Sequence, residues 1–262
     1  MCFQHGTLFG FNLQFLESTI DMTQLKSILF DFDGTLRIHL PSGGEVFTDY
    51  AISIGLTVSQ DDKLRGLRWE HYYFANSPEL REDQKTFKGD GSGFWVNYSR
   101  RRLIALGCPP GQATEFSGAA SAHMAEAYKP HVHVPDELHQ VLPALQNAGY
   151  ILGVVSNRGE PYLEELQETR LAPYFKFSLA GGEVPSFKPE PGIFMRALEL
   201  AGTEPHETLY VGDNYFADVV GSQRAGLQPV LYDPGTIFPD VECPVIRSFG
   251  ELPKLLVESE IA

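Results

Sequence analysis

Residues 28–36 read ILFDFDGTL, an apolar run that ends in two aspartates separated by one residue. Short apolar runs bounded by Asp and Gly are typical of a buried β-strand followed by a turn. Asp31 and Asp33 are then either ordinary turn residues or functional groups at the end of a strand. In an extended segment, side chains two positions apart point the same way, so both carboxylates are predicted to face one pocket. Residues elsewhere in the chain separate the two explanations.

Composition restricts the function classes. The chain has 262 residues, of which 43% are hydrophobic, and this suits one large domain or a domain with an insertion. Its 34 acidic and 20 basic residues give a formal charge of -14, which argues against binding to nucleic acid or anionic membranes. Three scattered cysteines indicate neither a disulfide framework nor a zinc site. Because the sequence shows no long apolar segment and no signal peptide, we predict a cytoplasmic protein. Its partners are predicted to be small molecules. The oligomeric state is not predictable from the sequence.

From about residue 136 onward, short apolar runs alternate with helical patterns, as in βαβ units with a parallel sheet. The predicted strands cover residues 27–32, 150–156, 175–180, 208–212 and 229–232. This rhythm predicts an α/β fold with a mostly parallel sheet.

Residues 37–130 break the rhythm and are predicted to be an inserted domain. Its first residues, RIHL, PSGG and EVF at 37–47, predict a short hairpin, and helical patterns follow at 61–75 and 94–106. The predicted core consists of residues 26–36 and 131–262. Residues 1–25 are predicted to be an extension, of which 1–21 is expected to be dispensable.

Polar clusters lie at or near the ends of the predicted strands. In chain order they are Asp31, Asp33 and Thr35; Ser156 and Asn157; Lys188; and Asp213 with Asp218. Because the carboxyl ends of parallel strands meet at one edge of the sheet, we expect these side chains to lie together. Taken alone, Lys188 is better explained as a surface lysine, since most lysines are solvated surface charges. Likewise, Ser156 and Asn157 taken alone are explained as a capped strand end.

The motifs DFDGTL, VVSN, FKPEPGIF and YVGDNYFADV follow one another in this order. In these motifs the chain resembles the haloacid dehalogenase-like hydrolases, which are mostly Mg-dependent phosphatases. The resemblance covers residues 27–36 and about 136–232. It implies a Rossmann-like three-layer core, with residues 37–130 forming a helical cap of the C1 type.

The resemblance also implies a role for each residue of the motifs. Asp31 is the expected nucleophile of an aspartyl-phosphate reaction, and Asp33 the expected acid and base. Lys188 is expected to hold the transferring phosphate. The other expected phosphate-binding residues are Thr35, Ser156 and Asn157. The expected Mg²⁺ ligands are Asp31, the backbone carbonyl of Asp33, and Asp213, with Asp218 orienting them.

Charge counting also calls for a cation. Four carboxylates and Lys188 leave three negative charges in the predicted pocket, which is hostile to a phosphate dianion. A divalent cation removes two of them. Hard oxygen ligands suit Mg²⁺.

Several reactions occur on this fold. Dehalogenases and phosphonate-cleaving members of the family lack an acid at the position of Asp33, so Asp33 favours hydrolysis of phosphate monoesters. A sugar-phosphate mutase shares both aspartates and stays an alternative. The alternative hypothesis outside the enzymes is a non-catalytic protein that serves as an interaction scaffold.

Other features of the insert are predicted to be structural. Arg100, Arg101 and Arg102 fan out around a helix and are predicted to be a solvated surface. The aromatic residues at helical spacing are predicted to be core: Trp69, Tyr72, Tyr73, Phe94, Trp95 and Tyr98.

Overall fold

The computed structural model of the chain describes residues 24–258, so the proposed dispensability of residues 1–21 lies outside the described part. The described residues form eight strands: β1 (Ser27–Phe30), β2 (Ile38–Leu40), β3 (His131–His133), β4 (Ile151–Ser156), β5 (Phe177–Ala180), β6 (Thr208–Gly212), β7 (Gln228–Tyr232) and β8 (Val245–Ile246). Six of them make one sheet in the order β5-β4-β1-β6-β7-β8, with every pairing parallel. The predicted α/β fold and its five strands are confirmed. The two-residue β8 is too short to give a recognisable pattern.

The same part of the chain forms ten α-helices: α1 (Gly43–Ser53), α2 (Gln60–Phe74), α3 (Pro78–Thr86), α4 (Gly91–Ala105), α5 (Pro110–Ala127), α6 (Leu138–Asn147), α7 (Leu163–Glu168), α8 (Pro191–Ala201), α9 (Val220–Arg224) and α10 (Leu252–Glu258). The predicted helices at 61–75 and 94–106 correspond to α2 and α4. None of the helices within residues 24–258 combines the length and the apolar character that a membrane span requires.

The central strand β1 is covered on both faces. Ile28 and Phe30 belong to the same buried cluster as Leu142 of α6, whereas Leu29 clusters with Phe194 of α8 on the opposite face. All five side chains are fully buried. This alternation explains why the strand sequence is apolar at every position, since each face of the sheet packs against helices. The result is a three-layer core.

The insert begins differently from the prediction. The hairpin predicted for residues 37–47 is wrong, because β2 pairs antiparallel with β3 at the far end of the insert, with Ile38 opposite His133. Ser42 instead caps α1. The Ser42 amide donates to the Glu45 carboxylate at 2.8 Å, and the Glu45 amide donates to the Ser42 hydroxyl at 3.1 Å. This Ser-x-x-Glu capping box is a helix-start signal that competes with the turn signal of the two glycines. The division into 1–25, 26–36 with 131–262, and 37–130 stays a prediction.

The five helices between β2 and β3 have their own buried side chains. Tyr73 and Tyr98 are buried against Trp69 and Phe94, as predicted, but Trp95 is 51% exposed and is not core. The prediction of a solvated surface is wrong for Arg102, which is only 3% exposed. Its guanidinium binds Glu70 of the neighbouring α2, a partner that helical spacing within α4 alone does not reveal.

Candidate active site

The carboxyl ends of β4, β1 and β6 lie side by side, and Lys188 is buried beneath them. Its ammonium group lies 2.5 Å from Asp31 Oδ1 and 2.7 Å from Asp218 Oδ1. It also donates to the Tyr210 hydroxyl at 3.1 Å and to the Val155 carbonyl at 3.2 Å. Because its side chain is 3% exposed, Lys188 is not a surface lysine. A buried ammonium group between two carboxylates fixes their positions and partly neutralises them.

Burial controls the ionisation of this cluster. Burial by itself lowers the pKa of Lys188. The attraction of the Asp218 and Asp31 carboxylates is stronger, and it holds the pKa of Lys188 well above its ordinary value. Burial raises the pKa of Asp31 to about 7, with the attraction of Lys188 offsetting only part of the effect. Burial, together with repulsion from Asp31 and Asp218, also raises the pKa of Asp213. Burial and mutual repulsion therefore disfavour the simultaneous ionisation of Asp31 and Asp213, and a bound cation would favour it.

Hydrogen bonds from Thr35 and from the Asn214 amide hold the carboxylates of Asp213 and Asp218. The Thr35 hydroxyl donates to Asp213 Oδ1 at 2.9 Å and accepts from the Asp213 amide at 3.0 Å. The Asn214 amide donates to Asp218 Oδ2 at 2.9 Å. Gly34 has φ +97°, and a Cβ added there would lie 2.5 Å from the Asp213 carboxylate oxygens. The glycine after the doublet is therefore required both by its backbone conformation and by this close approach.

These residues fit a divalent cation. Carboxylate oxygens of Asp31, Asp213 and Asp218 lie within 4.8 Å of one another. Three carboxylates and the Lys188 ammonium leave two negative charges, which one divalent cation would balance. Hard oxygen donors at this spacing suit Mg²⁺. The backbone carbonyl of Asp33 stays a predicted fourth ligand.

Asp33 has different partners from Asp31. Arg158 donates to its two carboxylate oxygens at 2.7 and 3.1 Å, and Arg37 Nε donates to Oδ1 at 2.8 Å. Burial raises the pKa of Asp33, but the two guanidinium groups outweigh it and lower the pKa below its ordinary value. Arg158 also binds Glu165 at 2.8 Å. Neither arginine was predicted, although each directly follows a motif, DFDGTL or VVSN.

Two of the predicted phosphate-binding residues, Asn157 and Thr35, have protein partners. Asn157 Nδ2 donates to the Lys188 carbonyl at 2.8 Å, and the Lys188 amide donates to Asn157 Oδ1 at 2.6 Å. Asn157 therefore holds the loop that carries Lys188, as Thr35 holds Asp213. Ser156 is buried at the end of β4. In the described structure Asn157 and Thr35 therefore position the residues that form the pocket. Direct phosphate binding by Thr35, Ser156 and Asn157 stays a prediction.

The chain is similar to known hydrolases. A family model described as haloacid dehalogenase-like hydrolase matches residues 96–231. The phosphoserine phosphatase of Thermus thermophilus is 29% identical over 87% of this chain and 96% of its own length. Phosphoglycolate phosphatase 1 of Pseudomonas aeruginosa is 28% identical over 78% of this chain and 67% of its own. The crystal structure of 2-haloacid dehalogenase from Pseudomonas syringae superposes with a TM-score of 0.52 at 24% identity, covering 89% of this chain and 99% of that one. At this identity, the last comparison concerns the fold alone.

Proposed function

Because the chain belongs to the haloacid dehalogenase-like hydrolases, we propose that it hydrolyses small phosphate monoesters in a Mg²⁺-dependent reaction through an aspartyl-phosphate intermediate. The observation that carries the proposal is the contact of Lys188 with both Asp31 and Asp218 beside Asp213. This contact supports the proposal because it joins the proposed nucleophile to a cationic group beside the proposed metal ligands. The similarity to two phosphatases supports the same reaction class.

The first step is assigned to Asp31. One of its carboxylate oxygens attacks phosphorus; this P–O bond forms while the P–O bond to the alcohol breaks. Lys188, which already binds Asp31 Oδ1, reduces the repulsion between this carboxylate and the phosphate. Asn157 and Thr35 keep Lys188 and Asp213 in place during the transfer. A Mg²⁺ ion held by Asp31, Asp213 and Asp218 would supply charge neutralisation to the phosphoryl oxygens.

The proton transfers are assigned to Asp33. It gives a proton to the departing alcohol oxygen and then takes one from the water that cleaves the acyl phosphate. A carboxylate held by the guanidinium groups of Arg37 and Arg158 is ionised and a poor acid. Asp33 must therefore loosen these contacts and acquire a proton before the first transfer. Unlike the attack by Asp31, this step requires a rearrangement of the described structure.

The proposal is tested with p-nitrophenyl phosphate and a panel of phosphorylated metabolites. We expect phosphate release that requires Mg²⁺ and falls at least about 1000-fold in Asp31→Asn, because the amide is not a nucleophile. Arg196→Gln is a matched control, since this arginine forms an exposed pair with Glu199 on α8. No Mg²⁺-dependent turnover of any compound would favour a non-catalytic scaffold. Isomer formation from a sugar bisphosphate, instead of phosphate release, would identify a mutase.

A further inference from the structure

The helices of the insert enclose a cleft of about 740 Å³ between α1, α2, α4 and α5. Sites for small organic molecules commonly occupy about 300–1,000 Å³. The cleft shares no lining residue with the carboxylate cluster described above. Its size and composition therefore require an explanation of their own.

The cleft has room on the side of α5 because most of the α5 residues that line it are small, with Met124 as the exception. Gly118, Ser121, Ala122 and Ala125 recur at spacings of three and four, which places them on one side of the helix. A Cβ added at Gly118 would meet no atom within 4 Å. The other helices contribute large side chains to the lining, among them Phe47, Phe74 and Trp95. Phe74 and Trp95 are 38% and 51% exposed, so the cleft leaves substantial aromatic surface uncovered.

A buried ion pair provides the polar part of the cleft. Arg102 of α4 binds Glu70 of α2 through both terminal nitrogens, and one of these nitrogens also lies 2.6 Å from the Tyr98 hydroxyl. Arg102 is 3% exposed, yet its Nε has no hydrogen-bond partner among residues 24–258. A buried N–H without an acceptor is unfavourable, so this ion pair is not fully satisfied by its protein partners. Because Glu70 already neutralises Arg102, an uncharged occupant fits better than an anion.

The lining reaches the side of the insert that contacts the catalytic core. Glu70 and Phe74 flank His71, whose carbonyl accepts a hydrogen bond from Asn214 Nδ2 at 2.9 Å. Asn214 directly follows Asp213. This hydrogen bond joins the helix that carries Glu70 and Phe74 to the strand end that carries Asp213.

The ends of α1 and α5 also indicate that the cleft lies near the catalytic core. Gly43 begins α1 directly after β2, and Tyr128 lies between α5 and β3; both residues line the cleft. These two strands connect the insert to the core, so this end of the cleft lies at the crossings. The cleft is therefore continuous with the part of the insert that adjoins the active site.

We infer that this cleft receives the organic part of the substrate. The enzyme then acts on phosphate monoesters whose alcohol carries a large, uncharged and mainly apolar group. This inference rests on the proposed phosphatase function, which supplies the phosphate end of the same molecule.

The test is a series of n-alkyl phosphates from ethyl to octyl, at concentrations below those that form micelles. Burial of each added methylene raises kcat/KM by up to about fourfold until the cleft is filled. Ala122→Phe fills the cleft from α5 and is expected to abolish the preference for octyl over ethyl phosphate. Ala119→Phe is the matched control, because Ala119 is exposed on α5 and does not line the cleft. The control variant keeps the preference, and circular dichroism verifies the fold of both variants.

The outcomes separate this inference from the proposed function. Turnover that is independent of chain length, or an octyl preference that survives Ala122→Phe, overturns the inference and leaves the phosphatase proposal standing. Failure to hydrolyse ethyl phosphate and p-nitrophenyl phosphate overturns both. Octan-1-ol is expected to inhibit competitively against octyl phosphate. Activation or noncompetitive inhibition by octan-1-ol would instead show that the cleft holds a separate ligand.

Discussion

Lys188 Nζ lies 2.5 Å from Asp31 Oδ1, and the two side chains are only 3% and 8% exposed. Replacing Lys188 with Met leaves Asp31 and Asp218 buried without a cation. We expect the free energy of unfolding to fall by about 3 kcal/mol or more, because the remaining charges are uncompensated. Phosphatase activity should fall at least about 100-fold. Urea denaturation and phosphate release measure the two effects, and Lys254→Met at an exposed position should change neither.

The contact between Arg158 and Asp33 predicts a shifted pH profile. In Arg158→Gln the pKa of Asp33 rises, because one of the two guanidinium groups that lower it is lost. The basic limb of kcat/KM, where the general acid loses its proton, should then move to higher pH. Glu165→Gln is the control, since it removes the other partner of Arg158 and leaves the contact with Asp33 intact. An unshifted basic limb in Arg158→Gln would show that Asp33 is not the acid.

The burial of Asp31 predicts that Mg²⁺ stabilises the fold more at high pH. The pKa of Asp31 is about 7 in the fold against an ordinary value of 3.8, so the folded chain binds more protons than the unfolded chain in this window. Without metal, this group lowers stability as the pH rises through the same window. Because protons compete with the cation, the Mg²⁺-induced rise in Tm should be larger at about pH 8 than at about pH 5.5.

Thermal unfolding with Mg²⁺ or EDTA measures this difference. In Asp213→Asn one carboxylate of the cluster is lost, and the rise in Tm should be strongly reduced at both pH values. An equal rise at both pH values in the original chain would contradict the assignment of Asp31 as a ligand.

Two glycines offer a matched pair of substitutions. Gly34 and Gly55 have nearly the same positive φ, +97° and +96°, so Ala costs about 1 kcal/mol of backbone strain at either position. An alanine Cβ at Gly34 would collide with the Asp213 carboxylate, whereas at Gly55 it meets no atom within 4 Å. Gly34→Ala is therefore expected to lose more stability than Gly55→Ala, and only Gly34→Ala is expected to lose Mg²⁺-dependent activity. Equal activities of the two variants would show that Asp213 tolerates displacement.

The predictable parts of this molecule are those set by local patterns. The strand ends that carry Asp31 and Asp213 follow from apolar runs and from the topology of parallel sheets. The partners of Asp33 were missed, because a long arginine side chain reaches its carboxylate only through the conformation of two loops. The sequence pattern does not predict the burial of Arg102, for a related reason. Its partner, Glu70, lies 32 residues earlier on a different helix, and no periodicity within one helix reports such a pair.

The antiparallel pairing of Ile38 with His133 ties the outgoing and returning chains of the insert into a single two-stranded ribbon. Arg37 immediately precedes this ribbon and forms an ion pair with Asp33. The strand through which the chain enters the insert is therefore joined directly to the proposed acid and base of the site.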